Sequence, residues 1–263
     1  MKVKFQKYQG TGNDFIFIDE DDLPEKCNRV ELAQRLCQRN FSIGADGLAI
    51  IQNFANSEKE TFSWDFYNKD GSFAEMCGNA ARCAVVYANH RSGLIACEFK
   101  THVGMISGNF ASNPSITYAL SDPSTTEKSV VLPLGTEVRG FSVNTGVPHF
   151  VIVDDKEQDI DEETCDILMN AEDFAPDKTN ITLLEINKSG PIKTRTFERG
   201  VGEFTLACGT GVIASALILH NLFEKTEADL MAPGGLLKVQ LHDLPKITLH
   251  GPASFIYAGE FEI

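Results

Sequence analysis

Glu198-Arg199-Gly200-Val201-Gly202-Glu203-Phe204-Thr205-Leu206-Ala207-Cys208-Gly209-Thr210-Gly211 reads as the end of a strand, a glycine-rich turn and a cysteine at the start of a helix. Upstream, Lys193 and Arg195 alternate with Ile192, Thr194 and Thr196 at the two-residue period of a strand. Downstream, Val212 to Phe223 is mostly apolar, free of Pro and Gly, and long enough for a helix. Cys208 therefore sits at a helix mouth. The unpaired N–H groups and dipole of a helix N-terminus stabilise a thiolate there. They also make a seat for a carboxylate or a phosphate.

The pattern occurs twice. Asn68-Lys69-Asp70-Gly71-Ser72 leads to Cys77-Gly78-Asn79-Ala80-Ala81-Arg82-Cys83 and then to the helical run Ala84 to Ala88. Cys77 and Cys208 are 131 residues apart (208 − 77), about half the chain. A second pair of segments recurs at nearly that offset: Thr11-Gly12-Asn13-Asp14-Phe15-Ile16-Phe17-Ile18-Asp19 against Thr145-Gly146-Val147-Pro148-His149-Phe150-Val151-Ile152-Val153-Asp154. Two related halves are expected, residues 1–120 carrying Cys77 and residues 121–263 carrying Cys208, with the last strand able to pack back on the first half. The polar, Pro-containing stretch Ser121 to Thr126 is the boundary candidate.

Composition sets limits. The chain has 263 residues, a net charge of −14 and seven cysteines. It lacks a Lys/Arg-rich run, which argues against nucleic acid or an anionic membrane as partner. The N-terminal Met1-Lys2-Val3-Lys4-Phe5 lacks a signal-peptide core, and no apolar run is long enough to span a bilayer. An odd cysteine count does not suit a secreted disulfide framework, so a cytoplasmic location is expected.

In chain order, strands are expected at Lys4 to Gln9 and Phe15 to Asp19, as a hairpin, then at Leu48 to Gln52 and Ser63 to Tyr67. Helices are expected over Val30 to Asn40 and from Cys77 to about Ser92, where Gly93 supplies the terminator. Short strands follow to Leu120. The second half adds strands near Ser129, Val138, Phe150, Thr179 and Ile192, a short helix over Ile160 to Asn170, the Cys208 helix, and strands to Glu260. This is an α+β chain of two pseudo-repeated halves, each a curled, mostly antiparallel sheet around one central helix.

The cysteines divide into two groups. Cys27, Cys37, Cys97 and Cys165 lack a glycine-rich context and read as packing residues, and Cys83 as core on another helix face. Cys77 and Cys208 each carry a glycine turn and a helix mouth, and the recurrence argues for chemistry over packing. A zinc site would want three or four Cys/His ligands at short spacing, so no metal is expected. A redox dithiol would usually show Cys-x-x-Cys, which is absent. Glu198-Arg199 reads either as a solvated surface pair or as a binding pair. His149, Asn13 and Asn68 read as turn residues or as site residues. Asn180 stands at a strand start, where a turn role is less needed.

These motifs together resemble the diaminopimelate epimerase family: Gly12-Asn13-Asp14-Phe15, Gly44-Ala45-Asp46-Gly47, Asn68-x-Asp70-Gly71-Ser72 with Met76-Cys77-Gly78-Asn79, Pro148-His149, and the Glu198 to Gly211 stretch. The resemblance runs the length of the chain in order. It implies two similar halves with an active site in the cleft between them. It also implies cofactor-independent inversion of an amino-acid α-carbon, LL- to meso-diaminopimelate, in lysine and cell-wall precursor biosynthesis. By position, Cys77 and Cys208 correspond to the two catalytic bases. Gly78-Asn79 and Gly209-Thr210 correspond to the backbone that holds the reacting carboxylate. Asn13, Asn68, Asn180, Glu198 and Arg199 match substrate-binding residues, and His149 a histidine beside the catalytic pair. The partner is then a small amino acid, and a homodimer is the assembly expected.

Four positions depart from the family pattern. Val147 stands where Asn is usual, Phe73 where Glu is usual and Ala80 where Gly is usual, while Phe204 interrupts the usual Gly-Glu-Thr run. Val147 removes a polar partner for a distal carboxylate. A racemase of another amino acid, such as histidine, on the same fold is therefore the alternative enzyme. Proline racemase-like enzymes also pair cysteines, and a phenazine-pathway isomerase-like branch lacks them. An amino-acid binding module and a thiol redox protein are the readings from other classes.

Overall fold

The computed structural model describes residues 2–57, 59, 61–74, 76–133, 135–153, 160–186 and 190–262, so Asp154 of the repeated segment lies outside the described residues. In chain order the elements are β1 (Lys2–Gly10), β2 (Asn13–Asp19), α1 (Arg29–Cys37), β3 (Gly47–Gln52), β4 (Phe62–Asn68), α2 (Gly78–Ser92), β5 (Ala96–Thr101), β6 (Gly104–Asn109) and β7 (Ser115–Ala119). There follow β8 (Thr125–Val131), β9 (Glu137–Asn144), β10 (Pro148–Val153), α3 (Glu162–Met169), β11 (Asn180–Glu185), β12 (Ile192–Phe197), α4 (Gly209–Phe223), β13 (Glu227–Ala232), β14 (Gly235–Asp243), β15 (Lys246–His250) and β16 (Ala253–Glu262). The chain divides into two compact units, Met1–Tyr118 with His250–Ile263, and Ala119–Leu249. No helix among the described residues is long and apolar enough to cross a membrane.

The strand order in the first unit is β16-β1-β2-β3-β4-β5-β6-β7, and in the second β8-β9-β10-β11-β12-β13-β14-β15. The pairing senses repeat as well. β1–β2 and β9–β10 are antiparallel, β2–β3 and β10–β11 parallel, β3–β4 and β11–β12 antiparallel, β4–β5 and β12–β13 parallel. Parallel neighbours need a crossover, and each parallel link holds a helix: α1 and α2 in one unit, α3 and α4 in the other. The flanking strand is supplied differently. The second unit uses β8, which immediately precedes β9, whereas the first uses β16 from the far end of the chain, antiparallel to β1.

Strand alternation explains the two layers. On β2, Ile16 and Ile18 join the cluster with Leu32, Ala33 and Leu36 of α1. The intervening Phe17 faces the other way and stacks on Tyr87 of α2, ring centroids 5.6 Å apart. On β10, Phe150 and Ile152 pack with Cys165 and Leu168 of α3. His149 faces the start of α4 instead, with a ring nitrogen 3.0 Å from the Thr210 hydroxyl. Both inner helices are buried all round from the first turn, Gly78 to Ala88 and Gly209 to Leu219. A helix enclosed by a curled sheet needs small residues where strands press closest. α2 carries Ala80, Ala81, Ala84 and Ala88 there, and α4 carries Gly211, Ala214, Ser215 and Ala216.

Gly211 shows how close the approach is. A Cβ added there would lie 2.2 Å from Oγ1 of Thr196 and 3.2 Å from Oγ1 of Thr182. Replacing helical Gly by Ala ordinarily gains about 1 kcal/mol. Overpacking against a stiff, buried threonine costs about 1–3 kcal/mol. Gly211→Ala is therefore expected to lower the denaturation midpoint. A raised midpoint would show that the first turn of α4 moves freely off β12.

Candidate active site

The outer and inner helices are capped by different chemistry. Asn28 caps α1 by accepting from Val30 N and Glu31 N, and Asp161 caps α3 by accepting from Thr164 N. The inner helices begin at Cys77 and Cys208, both in extended backbone, and neither makes a side-chain cap hydrogen bond. Asn or Asp at the cap would spend its oxygen on the first-turn N–H groups and bring a fixed anion or dipole there. A cysteine leaves that end of the dipole to a thiolate or a bound carboxylate. Both thiols are half-buried.

In the second unit the cysteine heads a hydrogen-bonded row. The Cys208 sulfur lies 3.3 Å from Oγ1 of Thr210, and that hydroxyl lies 3.0 Å from His149 Nε2. His149 Nδ1 is 2.9 Å from Oγ1 of Thr182, which is 3.1 Å from Oγ1 of Thr196. Thr145 donates its hydroxyl to Thr210 O at 3.2 Å. The Asn180 amide lies 3.4 Å from His149 Nε2, and its Oδ1 accepts from Arg199 N at 2.9 Å. Glu198 accepts from the Thr205 hydroxyl, while Arg199 Nη1 donates to Asp177 O at 2.6 Å. Thus Asn180, Glu198, Arg199, His149, Cys208 and Thr210, expected from sequence, form one connected group. Thr145, Thr182 and Thr196 complete it and were not singled out, because a threonine in a strand carries no distinguishing signal in sequence.

The electrostatics of this group are one-sided. Burial, then the Glu198 carboxylate beside it, pushes the Cys208 thiol well above the usual cysteine range; the Thr210 hydroxyl and the Gly211 N–H act the other way and do not prevail. Burial, and then the charge of Arg199, lowers His149 from the usual 6.5 to about 3. His149 is therefore a neutral imidazole at neutral pH. Its two nitrogens bridge two hydroxyls, one as donor and one as acceptor.

The first unit builds the same place with other groups. Asn79 of α2 stands where Thr210 stands in α4, the second residue after the cysteine. Its Nδ2 donates to Asn13 Oδ1 at 3.1 Å, and Asn13 Nδ2 donates to Asp46 Oδ2 at 3.2 Å. Asp46 is braced by Arg39 at 2.9 Å. Arg39 and the buried Lys7 both hold Asp14; burial of Asp14 pulls its carboxyl upward, but the hydrogen bonds from Arg39 and Lys7 win and keep it below the usual range. Asn68 ends β4 and donates to the Ser72 hydroxyl at 3.0 Å. Gly78 accepts from Arg82 Nη1 at 3.1 Å through its carbonyl. Asn13, Gly78 and Asn79 are thus brought together, while Asn68 pairs across the sheet with Gly47, next to Asp46, and ties its side chain to its own turn.

Two departures from the family pattern prove to be one device used twice. Phe73 bridges back to Tyr67 and Phe204 to Phe197, each as an edge-on ring pair, with centroids 5.6 and 5.5 Å apart. Ala74 N bonds Phe66 O, and Thr205 N bonds Thr196 O, so the strand returns match. The extra residue of the second loop is absorbed between Glu198 and Glu203, whose backbones pair, where Asn68 pairs with Ser72 in the first. Phe204 therefore anchors the turn ahead of Cys208, with Arg195 over its ring at 4.5 Å. Val147 immediately precedes β10, where its counterpart Asn13 is the first residue of β2, and it is half-buried. No His/Cys/Asp/Glu group suited to a metal ion occurs among the described residues.

The depressed His149 gives a pH dependence with a definite sign. The unfolded chain binds a proton near pH 6.5 that the folded chain refuses until about 3. Between those values the unfolded state holds more protons, so stability falls as pH falls through this window. His149→Gln is expected to be less stable at neutral pH but to lose less stability between pH 6.5 and 3. Equal acid slopes in denaturation curves of the two proteins would exclude His149 as the titrating group.

Comparison with known proteins bears on the family and the fold. The family model described as diaminopimelate epimerase matches residues 5–117 and 141–256. The diaminopimelate epimerase of Aquifex aeolicus (strain VF5) is 36% identical over 272 residues, covering 98% of this chain and 97% of that protein. That of Hydrogenobaculum sp. (strain Y04AAS1) is 38% identical over 271 residues, covering 96% of each. Among solved structures, a hydroxyproline epimerase from Agrobacterium vitis superposes with a TM-score of 0.76 at 12% identity, covering 99% of this chain and 91% of that one. A phenazine biosynthesis protein of the PhzF family from Enterococcus faecalis superposes at 0.69 and 14% identity, covering both chains fully. These two distant likenesses bear on the fold alone. The family model spans both repeats and the relatives match end to end: the chain belongs to the diaminopimelate epimerase family.

Proposed function

We propose that this chain is an isomerase that interconverts LL- and meso-diaminopimelate, with Cys77 and Cys208 as paired base and acid. The observation that carries the reading is the repeat itself: two buried central helices, each opening at a cysteine in extended backbone. In this reading each helix mouth presents one thiol to the substrate.

The chemistry follows from what the residues can do. One cysteine, as thiolate, takes the proton from the α-carbon: an S–H bond forms, the C–H bond breaks, and the electron pair stays on the substrate. The other cysteine, as thiol, returns a proton to the opposite face and becomes the thiolate. The α-proton is weakly acidic, so the developing charge must be stabilised. The first-turn N–H groups at Gly78-Asn79 and Gly209-Thr210 would bind the α-carboxylate and supply that stabilisation. Closing the site would exclude water and strengthen every such interaction. Asn68, Glu198 and Arg199 would hold the amino-acid ends of the substrate. Asn13 and Asn180 each commit part of their amides within the protein, and an amide retains further donor and acceptor capacity for a ligand. The thiols must titrate as a pair, since one proton between them is the reactive state.

A homodimer is the proposed assembly, and the exposed Phe255, Ile256 and Tyr257 on edge strand β16 offer it an apolar surface. The proposed location is the cytoplasm.

Reduced protein in deuterated water, with LL-diaminopimelate and no added cofactor, should wash out the substrate α-proton signal in NMR spectra. Cys77→Ala and Cys208→Ala should each lose racemisation by at least about a hundredfold, the low end for a removed acid or base. Retained racemisation in either variant would refute the two-base assignment. Exchange confined to a different amino acid would move the substrate and keep the chemistry.

A further inference from the structure

The two halves match strand for strand, which makes unmatched charges at equivalent positions informative. Five residues into each helix from the capping cysteine stands Arg82 in α2 and Ile213 in α4. At the turn before each cysteine the matching residues are Asn68, which pairs with Gly47 ahead of Leu48↔Tyr67, and Glu198, which follows the matching pair Ile181↔Phe197. The Cys77 half therefore holds a cation and a neutral amide where the Cys208 half holds an apolar residue and a carboxylate.

Arg82 is an unusual cation. It is 0% exposed and the largest fully buried side chain. Its Nη2 donates to the Thr11 hydroxyl and to Asn79 Oδ1, both at 2.7 Å, and its Nη1 to Gly78 O at 3.1 Å. These acceptors are all neutral, and Nε has no hydrogen-bond partner. No carboxylate lies within ion-pair distance of it among the described residues. Burial lowers this guanidinium only to about 10, so it stays charged at neutral pH. A buried charge without a counter-ion is strongly unfavourable. The ionisable groups that act on Arg82 are Cys83 and Cys77. Cys83 is fully buried, and burial pushes its thiol far up, so it stays neutral. Cys77, half-exposed at the helix mouth, remains.

We propose that Arg82 is the fixed counter-charge of Cys77 and makes Cys77, rather than Cys208, the thiolate of the resting protein. Arg82 acts through its neighbours and does not touch substrate, so it is a positioning residue. The same guanidinium holds Asn79 at the mouth of α2. Opposite charge logic governs Cys208. Glu198 faces it, Arg199 is turned to Asp177 O, and His149 is neutral, so Cys208 keeps its proton and waits as the acid. The inference refines the two-base reading by assigning which cysteine starts in which state.

Alkylation by iodoacetamide without substrate tests it, because the thiolate is the nucleophile. Reduced protein would be treated across pH 5 to 10, with the label at each cysteine read by peptide mass spectrometry. At pH 7, Cys77 should be labelled at least tenfold faster than Cys208. Arg82→Met should slow Cys77 labelling at pH 7 by tenfold or more, while Arg82→Lys, which keeps the charge, should restore most of it. Faster labelling of Cys208 in the unaltered protein overturns the assignment, and that comparison stands even where the methionine variant does not fold. A folded Arg82→Met protein with unchanged Cys77 labelling also overturns it. The substrate carboxylate as the true counter-charge would appear as a raised KM in Arg82→Met with substrate-free labelling unaltered. Running α-proton exchange on the same sample separates the two ideas. Exchange without preferential Cys77 labelling sinks this inference alone; preferential labelling without exchange sinks the proposed reaction alone.

Discussion

The tie between the second residue of each inner helix and strand β2, or its counterpart β10, is the constraint on which the structure depends. Asn79 is held by Asn13, and Thr210 by His149. A helix wrapped by a sheet can slide and rotate unless something fixes it. Close contacts such as Gly211 against Thr196 do part of this, and a side-chain hydrogen bond at the first turn adds to the setting of depth and rotation. Once they are set, the residue before the helix must emerge at the open end, and in both halves it is a cysteine. The cost of burying these polar groups is met only if each is satisfied. That requirement explains why His149 has a hydroxyl on each nitrogen and why Asn13 leans on Asp46.

What was legible in the sequence was local and repeated. The strand, glycine turn and cysteine at a helix mouth stood out twice, and α4 and α2 begin at Cys208 and Cys77 as the pattern required. Gly93, with φ of 72°, ends α2 as a terminator glycine should. The helix edges were broader in sequence than in the structure: Val30 to Asn40 shrinks to Arg29–Cys37, because Gln38 leaves helical backbone. What was not legible was long-range. Nothing in a single strand says that β2 and β3 pair in parallel, because that register is imposed by the α1 crossover. Phe73 and Phe204 read as one substitution and one insertion, yet they are the same residue of the two halves. Only the backbone pairing of Glu198 with Glu203 reveals where the extra residue goes.

Arg82 is the instructive omission. A lone arginine in the run Gly78 to Ala88 reads as a solvated position on an otherwise apolar helix. The helix proved to have no solvated face there, and the arginine is enclosed. The offset of 131 residues that matched Cys77 to Cys208 also aligns Arg82 with Ile213. That contrast was available without any structure. A repeat is usually searched for what it keeps, and here the chemistry lies in what it does not keep.

Symmetry and reaction pull against each other in such a fold. Two equivalent helix ends would give two thiols of equal acidity, and if they titrated independently at most half of the molecules would hold the single proton of the reactive state. Charges placed unequally around a symmetrical frame remove that degeneracy. Glu198 beside Cys208 raises the cost of a second thiolate, and a buried cation in the other half lowers the cost of the first. The bias must stay modest, because inversion in the reverse sense needs the opposite assignment. A strong ion pair at either cysteine would trap one state. At Cys208 the Thr210 hydroxyl and the Gly211 N–H work against burial and the Glu198 carboxylate, so the bias is tempered there.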